Sequence, residues 1–133
     1  MKLTRTYTCR GQITEQETEA GTPAKIRLFD GSFQTAFKVT SFKIWSANYS
    51  GNTHADAVGK LSISPNSSTG PTNFMQADDS NEIAWSGIQG SIDGGGAMFE
   101  VVDSDNLIVE DLYVYARHAG ASGPVNYLIT LEK

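Results

Sequence analysis

Two apolar stretches near the end of the chain, LIVEDLYVYA at 107–116 and VNYLITL at 125–131, decide the fold. Both are rich in the Val, Ile, Leu and Tyr residues that favour strands, and both show alternation with a period of two. The loop at 117–124 that separates them contains Gly and Pro. We therefore predict that the two stretches form a C-terminal β-hairpin.

The same strand-like pattern recurs upstream, between polar segments that contain many of the 13 glycines. The other predicted strands cover residues 3–8, 25–29, 36–47, 59–64, 83–85 and 98–102. A helical period of 3.6 residues is absent from the sequence. These features predict a single all-β domain over residues 1–133, a jelly-roll-like β-sandwich of about eight antiparallel strands.

One predicted strand changes its inward face part of the way along. Phe37 and Val39 share one parity, whereas Phe42 and Ile44 share the other. Because a regular strand keeps one face inward, the change at residues 40–41 predicts a β-bulge or a bend between sheets.

Composition excludes several functional classes. The formal net charge is -5, and no basic stripe is present, so we predict no direct nucleic-acid partner. No apolar run reaches the ~18 residues of a membrane-spanning helix, so we predict no membrane span. Cys9 is the only cysteine and therefore has no intrachain disulfide partner.

No pattern in the sequence indicates catalysis. His54 and His118 are the only histidines, and neither a nucleophile elbow nor zinc-ligand spacing accompanies them. Alternating oxygen side chains at 103–106 suit calcium, but an Asx turn explains the same residues. We predict no catalytic residue, no metal site and no cofactor.

Aromatic residues offer two kinds of surface. Trp45, Tyr49 and Trp85 are candidates for a sugar-binding platform, although their apolar neighbours favour core packing for the two tryptophans. If Leu112 and Val114 face the core, Tyr113 and Tyr115 face outward together and suit a protein interface.

Several segments, taken in order, resemble a group of small β-rich virion structural proteins of marine bacteriophages, of the capsid, penton or decoration type. The segments are KLTRTYT at 2–8, LFDG at 28–31, FKV at 37–39, FKI at 42–44, NEIAWSG at 81–87, VD at 102–103, IVEDLY at 108–113 and NYLITLE at 126–132.

The resemblance implies a non-enzymatic, capsid-associated subunit, made in the host cytoplasm and located in the virion. Its implied partners are copies of itself, as a homo-oligomer, or a major capsid protein. Contacts are expected at Leu3, Arg5 and Tyr7 of the first strand, at the loop 11–24, and at Tyr113 and Tyr115. The alternative function is a carbohydrate- or receptor-binding β-sandwich module.

Overall fold

The computed structural model describes residues 5–14, 21–28, 36–47, 49–50, 53–54, 56–67, 74–89, 97–103, 105, 107–108, 111–119 and 124–132. Within these ranges the secondary structure consists of β-strands and turns, without a helix. The strands are β1 Thr6–Ile13, β2 Ala24–Ile26, β3 Phe37–Ser46, β4 Tyr49–Ser50, β5 Thr53–His54, β6 Asp56–Ser62, β7 Glu82–Gln89, β8 Ala97–Val102, β9 Leu107–Ile108, β10 Leu112–Ala119 and β11 Val125–Glu132.

Two antiparallel sheets carry the fold. One contains four strands in the order β1-β11-β3-β9, and the other contains five in the order β2-β10-β6-β7-β8. The first and last described strands are therefore neighbours, and the chain passes repeatedly from one sheet to the other. This alternation confirms the predicted jelly-roll-like β-sandwich. A small third sheet pairs β4 with β5.

The core lies between the two sheets and is built from every second residue of each long strand. Its fully buried members include Ile13, Val39, Phe42, Ile44, Leu61, Ile83, Leu112, Val114, Val125, Ile129 and Leu131. Cys9 of β1 packs against this cluster and is half-buried, and burial raises the pKa of its thiol.

The predicted C-terminal hairpin is wrong. β10 pairs with β2 and β6, whereas β11 pairs with β1 and β3. The two strands face each other across the core instead of lying side by side. Alternation shows that each strand buries one face, but a connection of several residues can either return along the same sheet or cross to the other.

The predicted β-bulge is confirmed. Thr130 lies opposite Ser41, and the next residue, Leu131, lies opposite Val39. Thr40 is thus the extra residue of β3, and it returns Val39 to the inward face.

Candidate functional site

The outer face of the five-stranded sheet carries a charged residue at its centre. Lys60 of β6 lies directly opposite Tyr115 of β10 on one side and Trp85 of β7 on the other. Val101 of β8 continues the same cross-strand row beyond Trp85. These four side chains point away from the sandwich core, because their sequence neighbours point into it.

Lys60 is nevertheless completely buried, with 0% of its side chain exposed. Its Nζ donates hydrogen bonds to the Phe74 carbonyl oxygen at 2.6 Å and to Glu82 Oε2 at 3.2 Å. The ammonium group also lies 4.6 Å from the centroid of the Phe74 ring and 5.2 Å from that of Tyr115. Burial lowers the pKa of Lys60, and the Glu82 carboxylate opposes that shift.

The two carboxylate oxygens of Glu82 bind side chains of the sheet and the backbone of residue 76, in the segment that covers this face. Oε2 binds Lys60, while Oε1 accepts hydrogen bonds from the backbone N–H of Gln76 at 2.9 Å and from Trp85 Nε1 at 3.0 Å. A register shift between Leu61 and Ser62 places Glu82 on the outer face. The carboxylate therefore fastens the chain around residues 74–76 to the sheet.

Tyr115 attaches residues 64–67, another part of the segment after β6, to the same sheet. Its hydroxyl donates to the Ser64 carbonyl oxygen and accepts from the Ser67 N–H, both at 3.1 Å. The side chain is 1% exposed, and burial raises the pKa of its hydroxyl. Tyr115 does point outward, as predicted, but the expectation that it is exposed is wrong because the chain folds over it. Tyr113 is half-buried.

We call Lys60, Phe74, Glu82, Trp85 and Tyr115 the buried ion-pair cluster. Solvent does not reach the Lys60 ammonium or the Glu82 carboxylate, and each is engaged by internal partners. The arrangement suits the attachment of a loop to a sheet.

On the outer face of the four-stranded sheet, no described segment covers the tryptophan as residues 64–67 and 74–76 cover the other face. Trp45 of β3 is 39% exposed, so its predicted core packing is wrong. Gln12 and Asn126 lie in register with it on β1 and β11. Together with Arg10 and Leu128 they line an open groove of ≈ 390 Å³. A sugar-binding platform needs an exposed indole, and whether Trp45 serves as one remains a prediction.

The third surface is the edge strand β8. Met98, Phe99 and Val101 are 61%, 46% and 55% exposed. The Phe99 ring covers Gly87 of the neighbouring strand so closely that a Cβ at that position would lie 2.3 Å from the ring. Within the described ranges, the far side of β8 has no strand paired with it.

Glu100, also on β8, reaches across the open end of the sandwich. Its Oε2 accepts hydrogen bonds from Ser41 Oγ at 3.1 Å and from the Phe42 N–H at 3.3 Å. An edge N–H of β3 is thereby satisfied by a side chain. A cleft of ≈ 270 Å³ beside this contact is lined by Lys43, Ser86, Met98, Phe99 and Glu100.

The predicted interface residues do not form one surface. Leu3 lies outside the described residues. Arg5 is exposed, and Tyr7 is 37% exposed and packs edge-on against Phe37 with ring centroids 6.0 Å apart. These residues belong to the four-stranded sheet side, whereas Tyr113 and Tyr115 belong to the other sheet. Whether any of them contacts a partner remains a prediction.

Sequence reasoning missed the buried ion-pair cluster. Lys60 stands in a short alternating strand where an outward lysine is normally solvated, and Glu82 follows 22 residues later with no recognisable spacing. The Asx turn considered at 103–106 is present, since the Asp105 N–H donates to Asp103 Oδ1 at 3.2 Å. Among the described residues no three His, Cys, Asp or Glu side chains group in a way that fits a metal ion.

A search of the described part of the chain finds no helix with the length and hydropathy needed to cross a membrane. Comparison with protein-family models, with curated proteins and with solved structures yields no match.

Proposed function

We propose that this protein is a non-enzymatic structural subunit of a bacteriophage virion, associated with the capsid as a decoration, penton or minor capsid component. The observation that carries the proposal is the apolar edge of β8, with which no other strand of the described residues pairs. The resemblance of the sequence to small phage virion proteins supplies the biological setting. The jelly-roll arrangement supports the proposal by analogy alone, since one fold hosts many functions.

The β8 edge suits addition of a strand from a second copy of this chain. Free N–H and C=O groups on a sheet edge accept an extended strand, and side chains on either face then pack against the newcomer. Two cross-strand rows, Trp85 to Val101 and Gly87 to Phe99, end at this edge with an apolar residue. An added strand continues both rows and covers Phe99 and Val101.

The buried ion-pair cluster supports assembly indirectly. It attaches described residues of the segment after β6 to the five-stranded sheet that also contains β8, which we expect to restrict their motion. Rigid interface surfaces lose less conformational entropy on association.

The proposal is tested at two levels. Light scattering at increasing protein concentration should show an oligomer that the Val101→Lys substitution dissociates, because lysine on an edge strand opposes pairing. Ile63→Lys is the matched control, since Ile63 is comparably exposed at 43% but lies beyond the end of β6. Mass spectrometry of gradient-purified particles from the source should then count many copies per particle. A concentration-independent monomer that is absent from intact particles overturns the proposal.

A further inference from the structure

The described strands of the four-stranded sheet carry on their outer face a charge opposite to that of the whole chain. Outward positions of β1, β3 and β11 include three basic residues, Arg10, Lys38 and Lys43, and one acidic residue, Glu132. The complete chain has 10 basic and 15 acidic residues. A locally basic surface on an acidic protein favours an anionic partner.

The aromatic member of this face is positioned for stacking. About two fifths of Trp45 is exposed, and Trp45 stands on a strand whose neighbour β9 pairs only with Phe37 and Lys38. The negative face of an indole attracts polarised C–H bonds, and the C–H groups on one side of a pyranose ring provide them.

Polar groups beside the indole are suited to sugar hydroxyls. Gln12 and Asn126 lie in one cross-strand row with Trp45, at successive spacings of about 4.8 Å. Each amide offers both donors and acceptors, which a hydroxyl group can use simultaneously.

Arg10 completes the groove at a distance that suits a second sugar unit. It lies two strands and one row away from Trp45, a Cα separation on the order of 10 Å from strand geometry. None of the ion pairs within the described residues uses Arg10. A guanidinium group binds a carboxylate or a sulfate with paired hydrogen bonds.

We propose that the groove around Trp45 binds an anionic oligosaccharide. One pyranose ring stacks on Trp45, its hydroxyls bond to Gln12 and Asn126, and the carboxylate or sulfate of an adjacent unit pairs with Arg10. Lys43, on the same face, lines the neighbouring cleft that contains Glu100 and is not part of this groove. This site is separate from the β8 edge, so it goes beyond the proposed assembly function and fails or stands independently of it.

The test uses the Trp85→Phe variant, in which Trp45 is the only tryptophan and its fluorescence reports directly on the groove. The probes are a galacturonate hexamer, a chondroitin sulfate hexasaccharide, uncharged cellohexaose and a thymidine hexanucleotide. We expect saturable changes in emission with one or both acidic sugars, weaker binding of cellohexaose, and several-fold weaker binding of the acidic sugar when salt rises from about 50 to about 500 mM. Binding of the carboxylated sugar alone or of the sulfated sugar alone identifies the anionic group.

Calorimetry with the stronger acidic sugar then compares matched variants of the wild-type chain. Trp45→Ala should weaken binding about tenfold, the scale of one lost aromatic contact. Arg10→Gln should weaken it more than Arg27→Gln, which removes the same charge from an exposed residue beyond β2. The proposal is overturned if neither acidic sugar binds, if cellohexaose or the thymidine hexanucleotide binds as tightly, or if the two arginine variants are equivalent.

Discussion

The two outer faces of the sandwich each carry one tryptophan, and their surroundings differ. On the five-stranded sheet, Trp85 donates to Glu82 and lies beside a buried lysine. On the four-stranded sheet, Trp45 is 39% exposed in an open groove. The difference arises from the segment after β6, which covers one face and is attached there by charge and hydrogen bonds. Among the described residues, one face thus has its tryptophan hydrogen-bonded under a covering segment, and the other leaves its tryptophan partly exposed.

The largest effect is expected from breaking the buried ion pair. Lys60→Met leaves the Glu82 carboxylate buried without its cation and should lower the free energy of unfolding by about 3–5 kcal/mol. Urea denaturation measures the change. The Lys60→Met/Glu82→Leu double variant should recover much of the loss, whereas Lys43→Met on the open face should cost at most about 0.5 kcal/mol. Equal losses for Lys60→Met and Lys43→Met contradict the distinction between the faces.

A smaller effect is expected from removing the Tyr115 hydroxyl. Tyr115→Phe leaves the Ser67 N–H and the Ser64 carbonyl without this partner and should lower the free energy of unfolding by about 1–3 kcal/mol. Amide hydrogen exchange should accelerate at Ser67 in particular. Tyr113→Phe is the control. An equal loss of stability in that variant means that the hydrogen bonds of Tyr115 to the loop do not account for the effect of Tyr115→Phe.

The two tryptophans provide a direct comparison of the faces. Trp85→Phe removes the hydrogen bond to Glu82 and should cost about 1 kcal/mol, whereas Trp45→Phe should change stability by less than about 0.5 kcal/mol. Acrylamide should quench the remaining Trp45 of the first variant more strongly than the remaining Trp85 of the second. The reverse order of quenching refutes the assignment of the covered face.

The smallest effect is expected in the dependence of stability on pH. Because burial raises the pKa of Tyr115 above its ordinary value of 10.0, the folded protein retains this proton where the unfolded chain releases it. The stabilisation that the protonated Tyr115 hydroxyl gives to the folded protein is complete below pH 10.0. It is lost as the pH rises through the pKa of Tyr115 in the folded state. Stability of Tyr115→Phe should therefore fall less steeply above pH 10 than that of the wild type, as followed by denaturation at successive pH values. Parallel curves of stability against pH for the two proteins contradict a raised pKa of Tyr115.

The alternation along each strand predicts well which sheet face a side chain points to, and it predicts poorly whether that side chain is exposed to solvent. The change of parity between Val39 and Phe42 predicts the β-bulge at Thr40 because each residue has only two directions in which to point. Parity also predicts that Tyr115 points outward. Whether an outward side chain meets water depends on the path of a distant segment, and the pattern around Lys60 contains no information about Phe74.

The same limit explains the erroneous hairpin and the erroneous core positions predicted for Trp45 and Trp85, which both lie on outer faces. β10 and β11 have similar alternation, so the pattern does not distinguish neighbours in one sheet from partners across the core. Trp45 and Trp85 both have apolar sequence neighbours. Because successive side chains of a strand point to opposite faces, inward neighbours place the tryptophan itself on the outer face. In β3 both direct neighbours of Trp45, Ile44 and Ser46, are buried, and Trp45 points in the opposite direction.

The reactivity of Cys9 offers a way to follow local opening of the sandwich at β1. Cys9 is the only thiol in the chain, it faces the core from the edge strand β1, and its raised pKa keeps the reactive thiolate scarce near neutral pH. Because Cys9 is half-buried, a reagent has partial access to it in the folded protein, and separation of β1 from β11 should raise the rate of modification further. The rate at which a thiol reagent modifies Cys9 should therefore rise with the frequency at which β1 separates from β11, and it can be measured without denaturant.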